Sequence, residues 1–161
     1  MGAIIPITKI KAVRERITKQ GKSLCLVGGC FDVLHPGHVV FLHKAKKAAD
    51  YLIVLLESDQ KVKKLKGERR PVHDQKMRAK VLSNLTSVDL VVMLPFMEKK
   101  SQYDELILKI KPDVIAVTSG YPDTDYHRRA ADLVGAKLKY VTKMIGNHST
   151  SKILNHNNEV Y

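Results

Sequence analysis

Short, nearly continuous apolar runs recur along the chain at residues 24–27, 51–56, 90–94, 114–117 and, more weakly, 137–141. Each is too short for a helix and rich in Val, Ile and Leu, so each is expected to be a buried strand. Gly28-Gly29 stops the first run and Pro95 the third. Between the runs the spacing changes to every third or fourth residue. Ile10, Val13 and Ile17 predict a helix over 9–19, ended by Gly21. Further helices are expected from Pro36 to Asp50, from about Asp59, over 73–85 (Met77, Val81, Leu82, Leu85), over 101–110 and over 125–134. A last helix could start within 149–154. Residues 66–72 read as a basic loop, and 155–158 as part of a polar tail.

Strands that are apolar throughout and alternate with helices imply a parallel sheet covered on both faces. The expected fold is a doubly wound, five-stranded, Rossmann-like α/β domain. With 161 residues one domain is expected, its ordered core over about 9–154 and its tail over 155–161. Ligands of such sheets sit beyond the carboxyl ends of the strands. The informative loops are therefore 28–36, 57–59, 94–96, 118–126 and 142–151.

Composition narrows the class. A hydrophobic fraction of 44% excludes wholesale disorder, and no apolar run nears the roughly 18–20 residues of a membrane span. The N-terminus lacks a basic segment ahead of an apolar one, and Pro6 breaks a myristoylation pattern. Cys25 and Cys30 are too few for a disulfide framework, so a reducing cytoplasm is the expected compartment. The net charge of +12 calls for phosphate-bearing partners: nucleic acid, acidic membrane or phosphorylated metabolites. Aromatics are only 6% with no Trp, which leaves few stacking platforms for a nucleic acid.

Three constellations could carry chemistry. In Gly28-Gly29-Cys30-Phe31-Asp32-Val33-Leu34-His35-Pro36-Gly37-His38, Pro36 suits a first helical position, and Gly37 carries no side chain to obstruct a ligand. His35 and His38, three apart, can face one spot at the helix N-terminus, which is an anion site. A metal pair is the competing reading, but no nearby Cys or carboxylate completes a ligand set. Two unrelated histidines at a helix cap fit the spacing equally well. In Gly146-Asn147-His148-Ser149-Thr150-Ser151-Lys152, a second helix N-terminus could hold further phosphates or be a simple cap. Residues 61–71 hold a Lys- and Arg-rich run, either a solvated face or a basic lid over a polyphosphate.

Together the H-x-G-H of His35–His38 and the late Ser149-Thr150-Ser151 resemble the cytidylyltransferase-like nucleotidyltransferases. Within them, the nearest resemblance is to the adenylyltransferase domain of the heptose-phosphate enzymes. It is carried by the run from Gly29 to Val39, Ser58-Asp59, Leu65-Lys66-Gly67-Glu68, Arg70-Pro71-Val72, Arg78, Val81-Leu82, Val88-Asp89 and Pro112-Asp113-Val114. Archaeal-type FAD synthetases and glycerol-phosphate cytidylyltransferases share the other motifs. One departure bears on acceptor and base: where the heptose enzymes usually carry a Lys and then Gly-Gly-Asp-Tyr, this chain reads Thr118-Ser119-Gly120-Tyr121.

The resemblance implies attack of an acceptor phosphate on the α-phosphorus of ATP, with release of pyrophosphate. It implies catalytic roles for His35, His38 and Lys46. Gly29, Cys30, Phe31, Gly37, Gly120, Tyr121, Lys143, Ser149, Thr150 and Ser151 would bind nucleotide. Asp32 and Arg78 would place the acceptor, although Arg78 could instead be a structural link to Asp89 or another acid. Mg²⁺ would bridge phosphate oxygens with few protein ligands, and no residue is singled out as its ligand. The implied partners are a nucleoside triphosphate, a phosphorylated small molecule and a second copy of the chain as a homodimer, with no membrane or nucleic acid.

Overall fold

The structure is a computed structural model that describes residues 1–120 and 124–143. In chain order the elements are β1 (Ala3–Pro6), α1 (Ile10–Lys19), β2 (Leu24–Gly29), α2 (Pro36–Lys46), β3 (Tyr51–Leu56), α3 (Asp59–Lys66), α4 (Gln75–Ser83), β4 (Leu90–Met93), α5 (Lys100–Ile110), β5 (Val114–Ser119), α6 (Thr124–Val134) and β6 (Lys137–Lys143). A single 3-10 turn, Ile7–Lys9, leads into α1. Among the described residues the strands form one sheet, ordered β1-β4-β3-β2-β5-β6, with every pair parallel.

The sheet has six strands, not five. The added strand, β1, has three exposed residues out of four, so burial wrote no pattern into it. Backbone pairing holds it against β4, with Ala3 N–H donating to Asp89 O at 3.0 Å and Gly2 N–H to Ser83 O at 2.7 Å. Gly2 is required there, since a Cβ would lie 2.4 Å from the Val88 carbonyl oxygen.

Successive strand residues feed opposite faces, as the pleat demands. Leu24 and Leu26 of β2, with Ile53 and Leu55 of β3, pack under α1, α5 and α6 beside Ile17, Leu106, Ile110 and Ala130. Cys25 and Val27, with Leu52, Val54 and Leu56, pack under α2 and α4 beside Leu42, Ala45, Ala79 and Leu82. This two-sided burial explains why the inner strands read as unbroken apolar runs.

Three aspartates tie the amino ends of the strands together. Each precedes one strand and accepts a backbone N–H at the start of its neighbour. Asp50 takes Ser23 N–H at 2.8 Å, Asp89 takes Leu52 N–H at 2.7 Å, and Asp113 takes Leu24 N–H at 2.8 Å. The opposite, carboxyl end is left for ligands. The chain winds outward from β2 through β3 to β4, then returns to place β5 on the other side of β2. The crevice of a doubly wound sheet opens at this reversal, above β2 and β5.

Candidate active site

β2 runs into the reversal and ends at Gly29. The next turn puts Phe31 at a φ of 43°, in the left-handed region, and folds its ring back. A Cβ on Gly29 would lie 2.9 Å from that ring, so the close approach needs glycine. Phe31 is thereby buried, with its ring centroid 5.2 Å from that of His38.

α2 starts at the crevice. His35 is its N-cap, in extended conformation, and Pro36 occupies the first helical position. The His35 carbonyl accepts the His38 N–H at 2.9 Å. The two imidazoles stack with centroids 3.8 Å apart and an interplanar angle of 28°. Gly37 makes room for this stack, because a Cβ there would meet Cε1 and Nδ1 of His35 at 3.0 Å. Its lack of a side chain thus serves the neighbouring ring as well as any ligand. Burial, and then the facing His35, lower the His38 pKa to about 4. His38 is therefore neutral at neutral pH. Its Nδ1 is buried and has no hydrogen-bond partner among the described residues. A buried polar atom without a partner marks a place where a ligand or water completes the bonding.

The other expected residues fall into three groups. Cys30 and Asp32 lie in the same turn as the histidines. Burial pushes the Cys30 thiol pKa up, which disfavours the thiolate. Asp32 is buried, and it binds the Arg70 Nε, the Val72 N–H at 2.7 Å and the His73 N–H at 3.4 Å. Asp32 thus fastens the end of the basic loop to the site. Arg78 is buried completely and all three of its guanidinium nitrogens are engaged. Nε donates to His73 O, Nη1 to Cys30 O, and Nη2 to Glu57 O at 2.8 Å and to Asp59 Oδ1 at 2.7 Å. This is the structural link weighed for Arg78, with Asp59 rather than Asp89 as the acid.

Lys46 is not brought to the site. It ends α2, roughly 16 Å along the axis from His35 at 1.5 Å per residue. Its ammonium sits at the amino end of the sheet, bonded to Asp89 Oδ2 at 2.7 Å and to the Asp50 carbonyl. A helix whose N-terminus faces the crevice necessarily carries its C-terminus away, so Lys46 holds strand ends instead of phosphate.

Gly120 and Lys143 lie at the carboxyl ends of β5 and β6. Gly120 has a φ of 83°, and a side chain there would meet open space. Lys143 is exposed at the end of β6, in register with Ser119. The Thr118 hydroxyl lies 3.1 Å from that of Thr142, and Ser119 donates to Thr142 O at 3.1 Å, so the end of β5 is stitched to β6 by side chains. Tyr121, Ser149, Thr150, Ser151 and the last expected helix lie outside the described residues.

The Lys- and Arg-rich run begins as α3, capped by the Ser58 hydroxyl on Lys61 N–H. Lys61 donates to Met97 O at 2.9 Å, while Lys63 and Lys64 pair at the surface with Glu68 and Glu98. Lys66 is near enough to Cys30 for its charge to act on the thiol.

Sequence reasoning passed over Arg70, Glu57 and Tyr103 as site residues. Arg70 acquires its role only through Asp32, across 38 residues. Tyr103 donates to Glu57 at 3.0 Å from α5, an element expected only to cover the sheet. Neither partnership leaves a local signal.

Among the described residues no group of three His, Cys, Asp or Glu side chains could hold a metal ion, and no helix is long and apolar enough to cross a membrane.

A family model described as cytidylyltransferase-like matches residues 26–154. The bifunctional protein HldE of Paramagnetospirillum magneticum is 41% identical over 153 residues, covering 93% of this chain and 30% of that protein. The bifunctional protein HldE of Wolinella succinogenes is 39% identical over 142 residues, covering 88% of this chain and 28% of that protein. The chain thus spans under a third of the length of these curated relatives. The crystal structure of the lipopolysaccharide core biosynthesis protein from Thermoplasma volcanium GSS1 superposes with a TM-score of 0.63 at 23% identity. That match covers 78% of this chain and all of that one, and it establishes a shared fold.

Proposed function

The chain belongs to the cytidylyltransferase-like family, and from that premise we propose that it moves a nucleoside monophosphate from ATP to a phosphorylated sugar of the heptose 1-phosphate type. A phosphate oxygen of the acceptor attacks the α-phosphorus, and the bond to the β-phosphate breaks to release pyrophosphate. The nucleophile is already ionised, so the protein needs no base and no covalent intermediate. Its work is positioning and charge stabilisation.

One observation carries this reading. The N-terminus of α2, with His35 and His38 stacked on it, stands at the carboxyl end of β2 where the strand order reverses. Free N–H groups and the helix dipole attract phosphate there. His38, kept neutral by burial, can donate a hydrogen bond to an oxygen whose negative charge grows in the transition state. Gly120 and Lys143 take the nucleoside and phosphates at the ends of β5 and β6, and Tyr121, Ser149, Thr150 and Ser151 are assigned to the same ligand. Cys30, Phe31, Gly29 and Gly37 shape the turn beneath them, and Asp32 acts through Arg70. Mg²⁺ would arrive with the triphosphate and supply charge neutralisation there, which suits an ion that keeps several waters and takes few protein ligands. A cytoplasmic homodimer belongs to the same reading.

Cytidylyl transfer to glycerol 3-phosphate is the second reading, favoured by the Thr118–Tyr121 departure. Pyrophosphate release is the test, with ATP and CTP each offered heptose 1-phosphate, glycerol 3-phosphate and FMN. Fastest turnover with ATP and heptose 1-phosphate is expected. Preference for CTP would transfer the assignment to the second reading, use of FMN alone would exclude a sugar, and no release with any pair would refute nucleotidyl transfer.

A further inference from the structure

Glu57 is a charged group that nucleotidyl transfer as described above does not use. It follows β3 directly, and its backbone is clamped on both sides: its N–H donates to Gly29 O at 3.1 Å, and its carbonyl accepts from Arg78. Its carboxyl group stands beside the Gly29–Phe31 turn, close enough to Cys30 to act on the thiol. The Tyr103 hydroxyl lies 3.0 and 3.1 Å from the two carboxyl oxygens. Among the described residues Tyr103 is its side chain's one hydrogen-bond donor, and no cation forms an ion pair with it. The charges of Lys61 and Arg78 act on it, but the Lys61 ammonium donates to Met97 O and lies over the Tyr103 ring, while Arg78 bonds the Glu57 backbone carbonyl. Burial raises the Glu57 pKa, as expected for a carboxyl group with few partners. Two carboxylate oxygens offer about four lone-pair sites, and one hydroxyl fills few of them.

Strand order says what could fill the rest. β3 and β5 flank β2 on opposite sides, each roughly 5 Å away. With the α-phosphorus over the end of β2 and the departing pyrophosphate held toward β5 and β6, an in-line displacement, in which the attacking oxygen stands opposite the leaving one, brings the acceptor from the β3 side. We propose that Glu57, positioned by Tyr103, accepts hydrogen bonds from hydroxyl groups of the phosphorylated acceptor and so determines which acceptors the site takes. This rests on the nucleotidyl-transfer reading for the direction of approach. The required partner is a polyhydroxylated phosphate, and a phosphate without hydroxyls gains nothing from Glu57.

The test is calorimetry on the full chain with heptose 1-phosphate, ethyl phosphate, ATP and 2′-deoxy-ATP, alongside pyrophosphate release. The wild type should bind heptose 1-phosphate more tightly than ethyl phosphate. Glu57→Gln should weaken heptose 1-phosphate by roughly 10- to 100-fold, the range for a hydrogen bond to a charged group, and leave ethyl phosphate and ATP unchanged. Tyr103→Phe, which keeps the carboxyl group but loosens it, should act in the same direction more weakly. In turnover the effect should appear in the acceptor KM and not in the ATP KM. Equal wild-type affinity for the two phosphates would overturn the proposal, as would unchanged heptose 1-phosphate binding in a folded Glu57→Gln. A loss confined to ATP and absent with 2′-deoxy-ATP would assign Glu57 to the nucleotide ribose and overturn it too. Glu57-dependent binding without any pyrophosphate release would refute nucleotidyl transfer while the acceptor contact stands.

Discussion

At the scale of the residue, His38 shows burial setting chemistry. Its imidazole is held neutral by desolvation and by the stacked His35. His38→Ala is expected to lower kcat by about 10²–10³, the usual cost of one preorganised donor, with a much smaller change in nucleotide affinity. Steady-state kinetics beside calorimetry check this, and equal kcat values would remove His38 from the chemistry. The same shift couples stability to pH. The folded pKa near 4 lies below the ordinary value of 6.5, so between those values the unfolded chain binds a proton that the native one does not. Stability therefore rises with pH across pH 4 to 6.5 and is lost as pH falls through that window, by up to about 3 kcal/mol. Denaturant unfolding of wild type and His38→Ala at pH 4.5 and 7 measures it, and the variant should show the shallower dependence.

At the scale of the element, the segment from Lys61 to Arg70 links two conditions. Its start is a capped helix, and its end is pinned by Asp32 to the turn that carries the histidines. A lid hinged this way should close over a bound triphosphate. Hydrogen exchange across Lys61–Arg70 is expected to slow when nucleotide and acceptor are added, and unchanged exchange would leave it a solvated face. Asp32→Asn, which removes the charge that holds Arg70, should quicken exchange at the end of this segment in the free protein. β1 obeys a different rule. It is an edge strand held mainly by backbone bonds and by the close approach at Gly2, with only Ile5 half-buried against the core.

For the molecule as a whole, the net charge of +12 and the parallel sheet act together. Like charges destabilise the compact state, and a polyanion at the crevice relieves part of that repulsion. Mg-ATP at about 100 times its Kd should add about 2.7 kcal/mol and raise Tm by roughly 5–10 °C. The gain should shrink at high salt as screening weakens the attraction. Thermal melts at two ionic strengths read both, and a Tm indifferent to ATP would count against nucleotide binding.

The sequence by itself determined the parts that depend on near neighbours. The inner strands could be read because burial on both faces made Leu24–Val27 and Tyr51–Leu56 continuously apolar. The start of α2 could be read because His35, Pro36 and Gly37 meet steric demands set within four residues. Tertiary structure alone decided the rest. The β1 pairing, the engagement of Arg78 with Cys30, Glu57 and Asp59, the Asp32–Arg70 tie and the Glu57–Tyr103 pair all join residues far apart in the chain. It also decided that Lys46 faces the amino end of the sheet. Local pattern records which side of an element is buried, whereas a polar side chain's partner depends on which distant element the topology brings beside it.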